Sequence, residues 1–256
     1  AIAGTSGQVS NLFTETETAL SDSVTSGAQA DAEAGGTPAP QPDPPDVTSY
    51  TLTNLGPKFA LNGANNGLQV ATRDVSDPAI WSQSSGFTTL AHINNDRASD
   101  ISDAGIIAGY GPSGGGPYRG KIWNSLGGSA SVIPAPTSLD GDNYANAIGG
   151  DFVVGTGLDT SIGTYFGWRH VISTNTTIRL DQPAGASYAS ARSVNANGTA
   201  AGGANMLSST RAVVWDDTGS VTILPSSGYA SALDINDAGT IVGVAENGGT
   251  GNNNAA

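Results

Sequence analysis

"ALDINDAGTIVG" (residues 232–243) decides how this chain is read. It is two short apolar runs joined by "NDAG", which ends on Gly239. A hairpin turn of this kind needs a residue that accepts a left-handed backbone, and Gly does so without steric cost. Four relatives lie upstream: "FALNGANNGLQVATR" (59–73), "RASDISDAGIIAGY" (97–110), "YANAIGGDFVVGT" (144–156) and "YASARSVNANGTAAGG" (188–203). Their turn positions, Gly67, Gly105, Asp151, Gly198 and Gly239, are 38, 46, 47 and 41 residues apart. A period of roughly 40 to 45 residues is the length of a four-stranded propeller blade.

Each copy carries further marks. The third copy has Asp151 at the turn, a residue that tolerates the left-handed region better than most. The second apolar run reaches another glycine, Gly109, Gly155, Gly202 or Gly243, except in the first copy, which has Thr72 there. Small residues such as Ala189, Ser190, Ala191 and Ala230, Ser231, Ala232 precede the turn and suit a crowded axis. Trp81, Trp123, Trp168 and Trp215 follow the first four turns by 14, 18, 17 and 17 residues, and they are all four Trp of the chain. One large ring per unit predicts a packing wedge between neighbouring sheets. A fourth strand is then expected at "FTTL" (87–90), "SVIPAP" (131–136), "TTIRL" (176–180) and "SVTILP" (220–225).

This pattern, A-x-x-I-N-x-x-G-x-I-V-G followed by A-x-x-W and L, resembles the HAF repeats of extracellular bacterial proteins, a propeller-like family. The resemblance covers roughly residues 49–244. It implies a secreted or surface-exposed β-repeat protein and supplies no catalytic residues.

The last copy has only its first two strands before "VAENGGTGNNNAA". A Trp 17 residues after Gly239 would fall at Ala256. "SYTLTNLG" (49–56), ahead of the first copy, reads as a fourth strand without its three partners. Pairing the two orphans would close a ring and protect the sheet edges. The expectation is an all-β, five-bladed β-propeller of about 42-residue blades over residues 49–256, closed by that N-terminal strand.

Residues 1–48 differ in kind. No Lys or Arg precedes Lys58, whereas seven acidic residues do. Residues 1–34 read as an acidic arm, with Val9, Leu12, Phe13, Leu20 and Val24 as its apolar positions, and residues 35–48 as a Pro-rich extended linker. The arm is expected to anchor the chain against other subunits of an assembly. Ala1 is a start that initiator-Met removal and signal-peptide cleavage both leave.

Charge and composition exclude several functions. The net charge of −13 disfavours nucleic acid and anionic lipid, which need clustered Lys and Arg. Without Cys there is neither a disulfide nor a thiolate metal site. No apolar run is long enough to span a membrane as a helix. His92 and His170 lie in no ligand spacing or catalytic motif, so no cofactor and no enzymatic activity are expected. Asp140, Asp142, Asn143 and Asp151 offer oxygens for calcium, but in no EF-hand spacing. "GPSGGGPYRG" (111–120) reads as a loop at the propeller face.

Tyr118, Arg119, Tyr165, Phe166 and Arg169, in the connections between second and third strands, are the residues most able to grip a sugar or peptide. The functional expectation is a non-enzymatic binding subunit of an extracellular assembly, either a phage virion head, tail fibre or spike, or a bacterial surface filament. Its propeller would be displayed for attachment. The alternative is a free secreted propeller that binds glycans or matrix.

Overall fold

The computed structural model describes residues 60–65, 69–73, 77–93, 95–124, 128–207, 209–246 and 253–255. The chain divides into two units, Ala1–Asn54 and Leu55–Ala256, and all described residues belong to the second. The acidic arm, the Pro-rich linker, the turn at Gly67 and the strand expected at 49–56 lie outside the described residues.

Every regular element among the described residues is a strand. The first antiparallel meander is β1 (Ala60–Ala64), β2 (Gln69–Arg73), β3 (Pro78–Ser82) and β4 (Gly86–Thr89). The second is β5 (Arg97–Ile101), β6 (Ile107–Pro112), β7 (Tyr118–Trp123) and β8 (Ser131–Val132). The third is β9 (Asn143–Gly149), β10 (Phe152–Asp159), β11 (Thr164–Val171) and β12 (Thr176–Arg179). The fourth is β13 (Tyr188–Val194), β14 (Ala200–Asn205), β15 (Thr210–Trp215) and β16 (Val221–Ile223). A parallel bridge between Tyr165 and Tyr188 joins these last two meanders into one hydrogen-bonded sheet. The fifth group is β17 (Ala230–Ile235), β18 (Ile241–Glu246) and β19 (Asn253–Ala255).

The strand β19 gives the last repeat a third strand. "NNA" occupies the third-strand slot, with Val244 opposite Ala255 and Glu246 opposite Asn253. Trp123 stands opposite Ile107 and Trp215 opposite Ala200, each two residues before the second-strand glycine. The equivalent residue in β18 is Ile241, which β19 does not reach. A fixed interval from Gly239 therefore misplaces the Trp position at Ala256, because the connection between second and third strands varies in length.

The turns follow their glycines with one exception. Gly105, Gly198 and Gly239 have φ of 77°, 82° and 83°. In the third copy it is Gly150, at 54°, and not Asp151, that takes the left-handed conformation. Asp151 caps the neighbouring β11–β12 turn instead, accepting from the Ser173 amide at 2.9 Å and from its hydroxyl.

All five inner strands, β1, β5, β9, β13 and β17, share an irregularity. Each breaks register by one residue, leaving Asn62, Ser99, Asn146, Arg192 and Leu233 as the extra residue. Such a bulge kinks the strand and pushes its backbone toward the partner. This explains the second-strand glycines. A Cβ on Gly109, Gly155, Gly202 or Gly243 would overlap the carbonyl oxygen of Arg97, Tyr144, Ser190 or Ser231 respectively.

The core lies in the seams between consecutive meanders. Trp123 packs with Ile80, Leu90, Ala98 and Ile107 between the first and second. Trp168 packs with Ala108, Ile122, Ile133 and Ala145 between the second and third. Trp215 packs with Val154, Leu180, Ala189 and Val213 between the third and fourth. All three rings are fully buried, whereas Trp81 is half-buried. The Trp123 and Trp215 indoles also donate to Ala91 O at 2.8 Å and Asp181 O at 2.7 Å. The fourth seam has no Trp and is closed by Ala201, Ala212, Ala230, Ala232 and Ile235, whose small side chains let the sheets approach.

Polar side chains at or just beyond the bulges stitch inner strands together. Asn62 Nδ2 donates to Ala98 O at 2.6 Å, and Asn146 Nδ2 to Ala191 O at 2.7 Å. Asp100 accepts from the Ile148 amide at 3.0 Å, and Ser193 Oγ from the Ile235 amide at 3.3 Å. Each such bond contributes about 1 kcal/mol net. Meanders packed side by side with their first strands inward are the architecture of a β-propeller.

Candidate functional site

All five inner strands line one axial channel with a cavity of about 820 Å³. At its hairpin-turn end the lining includes Asp100, Asp103, Asp234 and Asp237 together with Arg192. Asp100 is the most perturbed of the acids. Burial pushes its pKa up to about 6, helped by the Asp234 charge and opposed by hydrogen bonds from the Ile148 and Ile101 amides. Asp234 holds the Ile235 amide at 2.9 Å and the Ser193 hydroxyl at 2.5 Å, both through Oδ1.

The opposite end is aromatic. Tyr110 lies in the second half of β6, Tyr118 opens β7, Tyr144 lies near the start of β9, Tyr165 near that of β11, and Tyr188 opens β13. Tyr110, Tyr144, Tyr165 and Tyr188 surround a hollow of about 320 Å³ whose floor is Asn146, Thr156 and Ser190. Tyr110 and Tyr144 meet edge-on at 5.0 Å, and Tyr165 and Tyr188 are tilted at 5.7 Å. Thr156 and Ser190 hydroxyls are 2.6 Å apart, and Asn146 Nδ2 donates to Thr156 Oγ1 at 3.0 Å. This leaves the Asn146 carbonyl oxygen as an acceptor of the floor. The Tyr144 hydroxyl donates to Asp142 at 3.0 Å, and partial burial with that carboxylate raises its pKa, so it stays protonated.

A second hollow of about 290 Å³ adjoins the first, sharing Tyr110 and Asn146 and adding Asn62, Arg97 and Ser99. Arg97 sits over the Tyr110 ring at 5.9 Å, and its Nη1 lies 3.5 Å from the Tyr110 hydroxyl. Among the described residues it forms no ion pair.

The five residues singled out by sequence separate into two groups, all on strands rather than in loops. Tyr118 and Tyr165 stand at the aromatic end, Tyr118 packed 5.8 Å from Tyr144. The other three serve internal contacts. Arg119 clamps the segment before β9 through the carbonyls of Asp140, at 3.0 Å, and Gly141. Phe166 is 2% exposed, with the Arg179 guanidinium 3.2 Å over its ring. Arg169 is 4% exposed and donates to the Gly198, Asp216 and Asp217 carbonyls. Phe166 and Arg169 lie on opposite faces of β11, and both faces are covered, Phe166 in the seam with the second meander and Arg169 against carbonyls of the fourth.

The carboxylates considered for calcium are likewise engaged in the fold, whereas Asn143 Oδ1 is buried without a hydrogen-bond partner. Asp140 accepts from the Thr160 amide and hydroxyl, and Asp142 from the Tyr118 amide and Tyr144 hydroxyl. Asn143 donates to the Leu139 and Gly141 carbonyls. No metal-holding group of three or more His, Cys, Asp or Glu occurs among the described residues. His170 is buried against Thr177, and burial lowers its pKa.

One feature escaped the sequence reading. Lys121 and Asp96 form an ion pair at 2.5 Å with both side chains buried, beside a cavity of about 280 Å³. Gly111 makes room for it, since a Cβ there would overlap Asp96 Oδ1. At the cavity rim His92 pairs with Asp77 at 2.8 Å.

No protein-family model matches the chain, and no curated protein matches its sequence. Solved structures do resemble it. A TolB-type structure from Agrobacterium tumefaciens aligns with TM-score 0.57 and 13% identity, over 76% of this chain and 72% of that one. TolB from Acinetobacter baumannii aligns with TM-score 0.52 and 17% identity, over 74% of this chain and 49% of that one. A Dos1 propeller aligns more loosely, at TM-score 0.46 and 14% identity, over 70% of this chain and 50% of that one. The two TolB likenesses define the class: the chain has a β-propeller fold.

Proposed function

We propose that this chain is a non-enzymatic recognition propeller, displayed by its N-terminal arm in an extracellular assembly such as a virion fibre or surface filament. The observation that carries the reading is the tyrosine-lined hollow at one mouth of the axial channel. Four half-buried rings and a polar floor can grip a ligand by stacking and hydrogen bonding, and aromatic residues lining a concave site favour binding.

The ring itself is completed, in this proposal, as five blades. Asp100 accepts the Ile148 amide across one seam and Ser193 the Ile235 amide across another. By the same repeat position, Asp234 would accept the Ala64 amide across the last seam. Its Oδ2 has no hydrogen-bond partner among the described residues. Residues 49–56 would then add the outer strand beside β19. Residues 1–48 would contact other subunits.

Binding of fluorescently tagged protein to intact host cells and to a glycan array tests the function. Wild-type chain should bind, and Tyr165→Ala with Tyr188→Ala should abolish binding while the melting temperature stays close to wild type. Undiminished binding by the folded double variant would refute the assignment of the face.

A further inference from the structure

We infer that the tyrosine face takes an acidic glycan, with a sugar ring in the tyrosine hollow and its carboxylate on Arg97. The inference rests on the recognition reading above and names the ligand of that same site.

The repeat supplies the first argument. Tyr188 opens β13 and Tyr144 and Tyr229 stand at the same repeat position before their Ala-x-Ala runs, as "YANA", "YASA" and "YASA". The second copy reads "RASD", so Arg97 replaces the ring at the position opposite Tyr110. One blade therefore presents a guanidinium where three present a phenol.

The second argument is electrostatic. The chain carries nine Lys and Arg against 22 Asp and Glu, and most cations among the described residues are spent on contacts within the fold, with Arg211 held by the Ser226 carbonyl at 2.9 Å. Arg179 pairs with Asp159 and Lys121 with Asp96, while Arg119 and Arg169 are tied to backbone carbonyls. Among the described residues the Arg97 guanidinium meets Tyr110 and no carboxylate, which leaves its planar fork with donors for a bidentate carboxylate.

The third argument is geometric. The two hollows are contiguous through Tyr110 and Asn146, so one ligand reaches both. A pyranose presents an apolar C–H face to the rings, and its hydroxyls meet the Asn146, Thr156 and Ser190 floor. A uronate carries a carboxylate on its pyranose ring, the group that the Arg97 fork would take.

The test uses the full chain with an oligouronate and with the same oligosaccharide after its carboxylates are reduced to alcohols. Isothermal titration should give the acid at least about tenfold tighter binding. That advantage should shrink with added salt and vanish in Arg97→Gln, while Tyr188→Ala should weaken both ligands. Equal affinity of acid and alcohol for wild type, or an unchanged preference in Arg97→Gln, would overturn the acidic-glycan inference and leave the recognition face standing. Failure of both sugars to bind, with host-cell binding intact, would overturn the glycan class. Host-cell binding unaffected by the tyrosine substitutions would instead remove the recognition reading.

Discussion

Asp100 offers the most quantitative test of the channel. Its carboxylate holds the Ile101 amide at 2.8 Å and the Ile148 amide at 3.0 Å, on two different meanders, and faces Asp234. Burial dominates and raises its pKa from 3.8 to about 6. Folding therefore favours the protonated form. The stabilisation is fully present below the unfolded value and is lost as pH rises through the folded one. A gap of about two units at ~1.4 kcal/mol each sets a ceiling of about 3 kcal/mol. Other carboxylates act in the opposite sense. Asp140 and Asp216 have pKa values lowered mainly by side-chain hydrogen bonds from Thr160 and Thr218, so their contribution fades as pH falls. Urea unfolding of wild type and Asp100→Asn at about pH 4 and about pH 8 cancels those common contributions. The stability difference should move toward the variant by up to about 3 kcal/mol between the two conditions. Parallel profiles, or a carbon-detected titration of Asp100 with a midpoint near its unfolded value, would refute the reasoning.

Three further outcomes follow from the packing. Trp215→Ala removes a fully buried wedge and the hydrogen bond to Asp181 O, and calorimetry should register a loss of about 3 to 5 kcal/mol. Gly202→Ala forces a Cβ onto the Ser190 carbonyl opposite the Arg192 bulge and should cost about 1 to 3 kcal/mol or more in urea unfolding, whereas an Ala scan of exposed loop positions should stay near wild type. Lys121→Ala strands a buried Asp96 charge and should cost about 3 to 5 kcal/mol, while Lys121→Met with Asp96→Asn should recover most of it.

Much of the fold was legible because it repeats. Gly105, Gly198 and Gly239 mark turns that any L side chain would strain, and Trp123, Trp168 and Trp215 mark seams that need a large ring. What the sequence hid depends on partners distant in the chain. The glycines at 109, 155, 202 and 243 read as strand ends, yet they answer a bulge on the neighbouring strand. Phe166 and Arg169 look like binding residues until β11 is seen to be covered on both faces, by the second meander at Phe166 and by the fourth at Arg169. Gly150 took the strained conformation because glycine is the cheaper residue there, even though Asp151 aligns with the other turn positions. The tyrosine hollow draws on β6, β9, β11 and β13, so no single motif contains it. The recurrent Tyr before an Ala-x-Ala run marks Tyr144 and Tyr188, whereas Tyr110 and Tyr165 carry no such signal.

Cross-strand contacts between residues 49–56 and β19 are the most direct test of the closed five-blade ring. In labelled full-length protein, backbone nuclear Overhauser contacts should link this segment to Asn253–Ala255, with slowed amide exchange on both. Mixing labelled and unlabelled chains should leave those contacts intramolecular. Rapid exchange throughout residues 49–56, with no contact to β19, would contradict the account.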